Sequence, residues 1–501
     1  METKKLDSYQ IVVNKIPLRI QIYSVKGHPV PYYHLSLLNL TKETKLIIEK
    51  LREEIITEIS FDLLNKSDKE GEKEIQEKFK SKIMSLLEKN FPELDKNTHH
   101  FLSSYVVITS LGLSELEFIL KDPNLEEIVI NNAKEPVWVY HRKFGWLKSN
   151  ISFDDENKIR HFATMIGRNV DKGITMLNPL LDAHLKTGDR VNATLSPITS
   201  RGNTITIRKF AETPWTIVDF LENKTIDYWT ASLLWLALQY ELSILIAGGT
   251  GSGKTSFLNV LCNFFPPNQR IISIEDTREL RLPDNLHWVP MQSRQANPEG
   301  KGEITMLDCM VNTLRMRPDR IIVGEVRRAK EIEVMFEAMH TGHSVYTTVH
   351  ASNVEETFAR LTNPPINLPQ NLLTSLGLIV VQHRNRRTGK RRTFQVAETN
   401  KDGTPSLILQ HDAQQDQMDK VMEPKTMVEK ISLYSGLEKE AVFDDIQEKI
   451  LVLKWLVKNG IKDVNEIGLI MSDFYTGKKE LLEKVTGDNS FEEDVLNEEI
   501  R

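Results

Sequence analysis

Residues Gly248–Thr255 read GGTGSGKT, after the apolar run SILIA (Ser243–Ala247) and before SFLNVLCNFF (Ser256–Phe265). Glycines at Gly248 and Gly253 followed by Lys254 and Thr255 satisfy the G-x-x-x-x-G-K-[ST] template, in the strand–loop–helix setting that such a loop requires. Glycines let the backbone curl so that amide N–H groups point inward, and the helix N-terminus adds positive potential. The loop Gly248, Gly249, Thr250, Gly251, Ser252, Gly253, Lys254, Thr255 and Ser256 is expected to cradle ATP. Lys254 would reach the β- and γ-phosphates, and Thr255 would ligate Mg²⁺.

Two runs downstream end in acids. RIISIEDTREL (Arg270–Leu280) carries a strand into Glu275, Asp276 and Glu279, and RIIVGEVR (Arg320–Arg327) carries one into Gly324 and Glu325. Open α/β sheets present ligands at strand ends, and an acid-ended strand beside the phosphate-loop strand can hold the Mg²⁺ shell, directly or through water, or polarise an attacking water. Glu325 is the first choice for water activation. Glu275 and Glu279 are candidates for metal or water positioning, although Asp276 and Glu279 also fit plain capping roles.

The remaining bulk properties bound the class. The chain has 501 residues, 40% of them hydrophobic, with a formal charge of −6, which argues against a protein coating nucleic acid. Two cysteines, Cys262 and Cys309, exclude a disulfide framework. No apolar signal stretch opens the sequence. The run TASLLWLALQYELSILIAGG (Thr230–Gly249) is interrupted by Gln239 and Glu241 and reads as a buried helix followed by a strand.

Residues 1–100, rich in Lys and Glu, read as a helical, charged extension; 101–212 as an α+β domain; 213–227 as a linker; 228–400 as alternating strands and helices with a parallel sheet; and 401–501 as a helical region, opened by the connector HDAQQDQMDK and closed by an acidic tail.

Taken together, GGTGSGKT, IEDTREL, LRMRPDRIIVGEVR and TGHSVYTTVHA resemble, in order, the boxes of the type II/type IV secretion ATPase family, in its archaeal and Tad-like pilus branch. SELEFILKDPNLEEIVIN and GDRVNATLSPITSRGNTITIRKF resemble the same enzymes' N-terminal domain. The resemblance implies an α/β fold with a RecA-like P-loop NTPase domain, preceded by the smaller α+β domain and the helical extension. It implies a homohexamer with nucleotide held between two domains, and arginines at Arg190 and Arg208, with Arg201 a further candidate. His343 and His350 would line the site near the γ-phosphate, while His340 matches nothing in that box and reads as structural. The expected activity is ATP hydrolysis driving assembly of a type IV pilus-like filament, or secretion, through a polytopic membrane platform protein, with pilin-like subunits as indirect partners. An archaellum motor is the alternative within the family. The expected location is cytoplasmic, peripheral at the inner face of the membrane.

Outside the family, a nucleic-acid-dependent P-loop motor and a small-molecule kinase remain as competing classes. No nucleic-acid partner is expected, since basic grooves studded with aromatics are missing from the sequence. The basic run HRNRRTGKRRTF (His383–Phe394) reads as a hairpin whose charge is either solvated or meets an acidic partner or membrane surface.

Overall fold

The computed structural model describes residues 2–37, 69–170, 172–185, 187–210, 214–296 and 300–487. It divides into two units, Met1–Glu212 and Thr213–Arg501. Among the described residues each unit contains one nine-stranded sheet.

The first unit's sheet is built from β1 (Thr3–Val13), β2 (Ile16–Val25), β3 (Tyr32–Leu37), β4 (Leu125–Ile130), β5 (Trp138–His141), β6 (Gly145–Ser149), β7 (Leu180–His184), β8 (Arg190–Thr194) and β9 (Thr204–Arg208). Their spatial order is β1-β2-β3-β6-β5-β4-β9-β8-β7. Residues 2–37 thus carry three strands, not the helical extension the composition implied. Asn14 and Lys15 both take positive φ, 49° and 69°, which forms the two-residue turn that matches strand twist. Beyond it Leu18, Ile20 and Ile22 alternate into the core with no exposed surface. The hydroxyls of Tyr9 and Tyr33 both donate to Asp122 Oδ2, at 2.6 and 2.8 Å, tying these strands to the rest of the unit. The helix does occur later, at Lys69–Asn90; the part of the expected helical stretch over 41–68 lies outside the described residues, as does the acidic tail.

In the second unit β10 (Ser243–Gly248), β11 (Arg270–Glu275), β12 (His287–Gln292), β13 (Arg320–Val323), β14 (Ser344–Val349) and β15 (Leu376–Arg384) run parallel. Antiparallel β16 (Arg391–Thr399), β17 (Pro405–Asp412) and β18 (Gln417–Lys420) follow. The order is β12-β11-β13-β14-β10-β15-β16-β17-β18. β10 and β14 are buried along their whole length, as strands covered by helices on both faces must be. This is the parallel-sheet P-loop architecture expected, with two corrections. The acid-ended strand β13 is not beside β10, because β14 intervenes. The polar run after residue 400 is no connector either: it carries the end of β17 and β18, which extend the sheet.

The apolar helix Tyr228–Gln239 is capped by Asp227, whose carboxylate accepts from Thr230 N, and nearly all of it is buried. The C-terminal helices pack on it rather than forming a separate body. Trp235 stacks on Phe264 at 5.1 Å and donates from Nε1 to the Tyr475 hydroxyl, which in turn donates to the Phe264 carbonyl. None of the helices among the described residues is long and apolar enough to cross a membrane.

Candidate nucleotide site

Strand order decides which side chains meet. Registers Ile274↔Val323, Val323↔Thr347 and Ala247↔Val349 align the C-terminal ends of β11, β13, β14 and β10. At those ends stand Glu275, which closes β11, Gly324 and His350, which follow β13 and β14, and the phosphate loop, which opens at the last residue of β10.

The loop is shaped by glycine. At Gly248 a Cβ would lie 2.5 Å from both the Gln382 carbonyl oxygen and Ser252 Oγ, so no other residue fits without a shift. Gly251 and Gly253 take φ of 73° and 91°, conformations L side chains avoid. Gly253 is the N-cap of the helix Lys254–Cys262 and offers no side chain to cap it. The first amides of that helix therefore face the loop without a capping group, the arrangement that binds phosphate. Ser252 Oγ is buried and has no hydrogen-bond partner. A cradle closed to Cβ, an uncapped helix N-terminus and an orphaned hydroxyl together fit a phosphate chain. Thr255, in the first turn, and the Glu325 carboxylate offer the hard oxygen donors that Mg²⁺ takes.

Lys254 Nζ, largely buried, bonds the Gly249 carbonyl at 3.1 Å and lies 3.2 Å from His350 Nδ1. His350 Nε2 is 2.9 Å from Glu325 Oε1. An ammonium can only donate, so His350 Nδ1 accepts and its proton sits on Nε2, directed at the carboxylate. Burial and then the Lys254 charge hold the His350 pKa below its ordinary 6.5, which keeps the ring neutral. Burial alone would push Glu325 up, but the Arg327 hydrogen bond and the charges of Arg327 and Lys254 outweigh it and keep the carboxyl ionised. Arg327 donates to Glu325 Oε2 at 2.8 Å and reaches Asp276 at 3.3 Å. Arg327 is a site residue that the motifs do not announce; its only signal in the sequence is a basic residue two places past the strand-end acid.

Glu275 is different in kind. It is 2% exposed, and its Oε1 accepts from the Glu279 and Leu280 amides at 2.8 and 3.0 Å. Its Oε2 is buried and unpaired. Burial pushes its pKa up to about 7, against the pull of those two amides. The Glu279 side chain is not so held; its backbone caps Glu275. Of the two histidines the structure brings only His350 to the loop. His343 precedes β14, at the opposite end of the strand and roughly 20 Å away by strand rise. There its Nδ1 lies 3.1 Å from Thr341 Oγ1 and 3.2 Å from the Ala338 carbonyl. A strand between two box histidines necessarily separates them. His340 is the exposed last residue of the helix Ala329–His340.

Arg190 and Arg208 belong to the first unit, directly opposite each other on β8 and β9. Arg190 pairs with Asp182 through two hydrogen bonds, at 3.2 and 2.9 Å. Arg201 is 85% exposed, 3.8 Å from Glu135. The turn beside it is pinned where Glu156 Oε2 accepts from Asn203 N at 2.6 Å.

Fold and loop define a P-loop protein with a RecA-like sheet. The chain belongs to the type II/IV secretion system protein family, whose model matches residues 120–443. An uncharacterized protein of Methanocaldococcus jannaschii, MJ0781, is 39% identical over 349 residues, 68% of this chain and 46% of that one, so the chain spans about half of this relative's length. The type IV secretion system protein PtlH of Bordetella pertussis is 29% identical over 306 residues, covering 54% of this chain and 89% of that one. Among solved structures, the VirB11 ATPase of the Brucella suis type IV secretion system, in complex with sulphate, shares 26% identity. It covers 57% of this chain and 93% of that one, at a TM-score of 0.30.

Proposed function

We propose that the protein hydrolyses ATP as a ring-forming motor that drives assembly of a type IV pilus-like filament, or secretion, through a polytopic membrane platform protein. The observation that carries the hydrolytic part is the continuous chain Lys254–His350–Glu325, which places an ionised carboxylate one side chain away from the phosphate-loop lysine. Lys254 would balance phosphate charge, and Glu325 would take up the proton of the attacking water. Thr255, with Glu325 acting directly or through water, would hold Mg²⁺, which neutralises charge on the phosphate oxygens. His350, donating from Nε2, fixes the direction in which the carboxylate points. Arg190 and Arg208 are proposed to stabilise transition-state charge, since a positioned guanidinium suits phosphoryl oxygens. The filament-assembly part rests on family membership. Service to a pilus is favoured over an archaellum, and the membrane contact is peripheral.

The test is ATPase rate per molecule against protein concentration, with light scattering on the same samples. A rate that climbs as hexamers form, and that Glu325→Gln abolishes, is expected. A flat rate from monomers would overturn the motor reading, and a phosphorylated acceptor in place of free phosphate would replace it with a kinase.

A further inference from the structure

The basic run Arg384–Arg392 divides into three parts that the sequence could not separate. Lys390 and Arg392 both reach Asp416: Lys390 Nζ at 2.9 Å, and Arg392 through Nε at 2.7 Å and Nη2 at 2.8 Å. Arg386 and Arg387 occupy the exposed turn, where the Asn385 side chain accepts from Arg387 N. Arg384 and Arg391 are directly opposite each other across β15 and β16, and both face the phosphate loop.

That placement follows from register. β15 is the parallel neighbour of β10 on the side away from β14, with Gly248 level with Gln382. Two residues further on, Arg384 stands beside the loop. Its Nη1 lies 3.2 Å from where a Gly251 Cβ would be. Arg391 Nε donates to the Gly251 carbonyl oxygen at 3.1 Å, and its Cδ lies 3.3 Å from where a Gly253 Cβ would be. The hairpin base is locked by buried groups: Gln382 Nε2 donates to Thr393 Oγ1 at 3.0 Å, and Thr393 N donates to the Thr225 carbonyl at 2.7 Å. Like charges directly opposite on a sheet face repel. This pair is held in that position against a loop built for an anion, and an anion there converts the repulsion into two charge-assisted hydrogen bonds.

We propose that Arg384 and Arg391 bind the phosphate chain of the nucleotide, from the flank of the loop opposite Glu325. Arg391 exchanges its bond to the Gly251 carbonyl for a phosphate oxygen, and Arg384 adds a second guanidinium. The proposal rests on the nucleotide reading of the loop. It assigns these residues to binding, whereas Glu325 serves turnover.

The test is the affinity of the full chain for ATP, ADP and AMP by titration calorimetry, with the melting temperature of each nucleotide-free variant measured beside it. Arg391→Gln keeps a donor for the Gly251 carbonyl but loses the charge; Arg384→Ala removes the second cation. Each is expected to weaken ATP and ADP binding about tenfold to a hundredfold, with less effect on AMP and an unchanged nucleotide-free melting temperature. The double variant Arg386→Ala/Arg387→Ala, which removes charge from the same hairpin, is expected to bind as wild type. Wild-type affinity in Arg391→Gln and Arg384→Ala overturns the proposal and leaves a loop buttress; so does an equal loss in the Arg386→Ala/Arg387→Ala control, which would mean general electrostatics. If the wild type itself binds no ATP, or Lys254→Ala binds it undiminished, the nucleotide reading fails instead.

Discussion

On one side of the phosphate-loop strand, β14 delivers His350 and, one strand further, β13 delivers Glu325; on the other, β15 delivers Arg384, with Arg391 across the hairpin. The first flank is a hydrogen-bonded relay ending in a carboxylate whose second oxygen is held by Arg327. The second carries guanidiniums, one of them bonded to a carbonyl of the loop itself. A carboxylate beside a phosphate chain repels it unless a metal ion lies between them, and is useful there for its proton affinity or for that metal; guanidiniums attract it whatever the reaction. On the roles proposed above, the sheet would separate the two tasks by strand order, turnover towards β13 and affinity towards β15.

Removing the group between the flanks should have the largest effect. Lys254→Ala is expected to lose both ATP binding and turnover, with hydrolysis down by at least about a thousandfold; nucleotide titration and phosphate release would show a dividing line if only one were lost. Glu325→Gln should cost about a hundredfold to ten-thousandfold in turnover while ATP affinity stays within about twofold, and a large drop in affinity would erase the division. His350→Ala releases Glu325 and Lys254 together, and a misplaced carboxylate should slow turnover by about tenfold to a hundredfold with little change in KM.

The smallest expected effect is on stability. Glu275, with a folded pKa of about 7 against its ordinary 4.5, binds its proton more tightly when folded. Between those values the native state holds more protons, so this group's contribution falls as pH rises from about 4.5 to 7 and stays low above. The cost above pH 7 is on the order of 3 kcal/mol. Glu275→Gln should flatten this part of the pH profile and raise the melting temperature at pH 8 by several degrees relative to wild type. A profile unchanged by the substitution would mean that Glu275 is not buried as described.

Much of the second unit was readable because its signals are local. A glycine-rich loop between an apolar strand and a helix specifies itself, and strand-end acids announce Glu275 and Glu325. What escaped depends on long-range pairing. Strand order is not written in any segment, so β14 was not expected between β10 and β13, nor His343 to be carried away from the loop. Arg391 lies 140 residues from its partner Gly251, and within a run of six basic residues only register distinguishes it from Arg392. In the first unit the Lys- and Glu-rich stretch beyond residue 41 dominated the composition and hid the alternation of Leu18, Ile20 and Ile22, which, with the Asn14-Lys15 turn, marks a hairpin.

The order of strands across the second sheet also bears on how the chain is made. β10 is synthesised first of the sheet yet ends in its interior, between β14 and β15. At ribosomal rates of about 5–20 residues per second, the 140 residues from Gly251 to Arg391 take on the order of ten seconds. For most of that interval, until β14 and then β15 emerge, the edges of a strand that ends up buried along its whole length await their partners, open to wrong pairing.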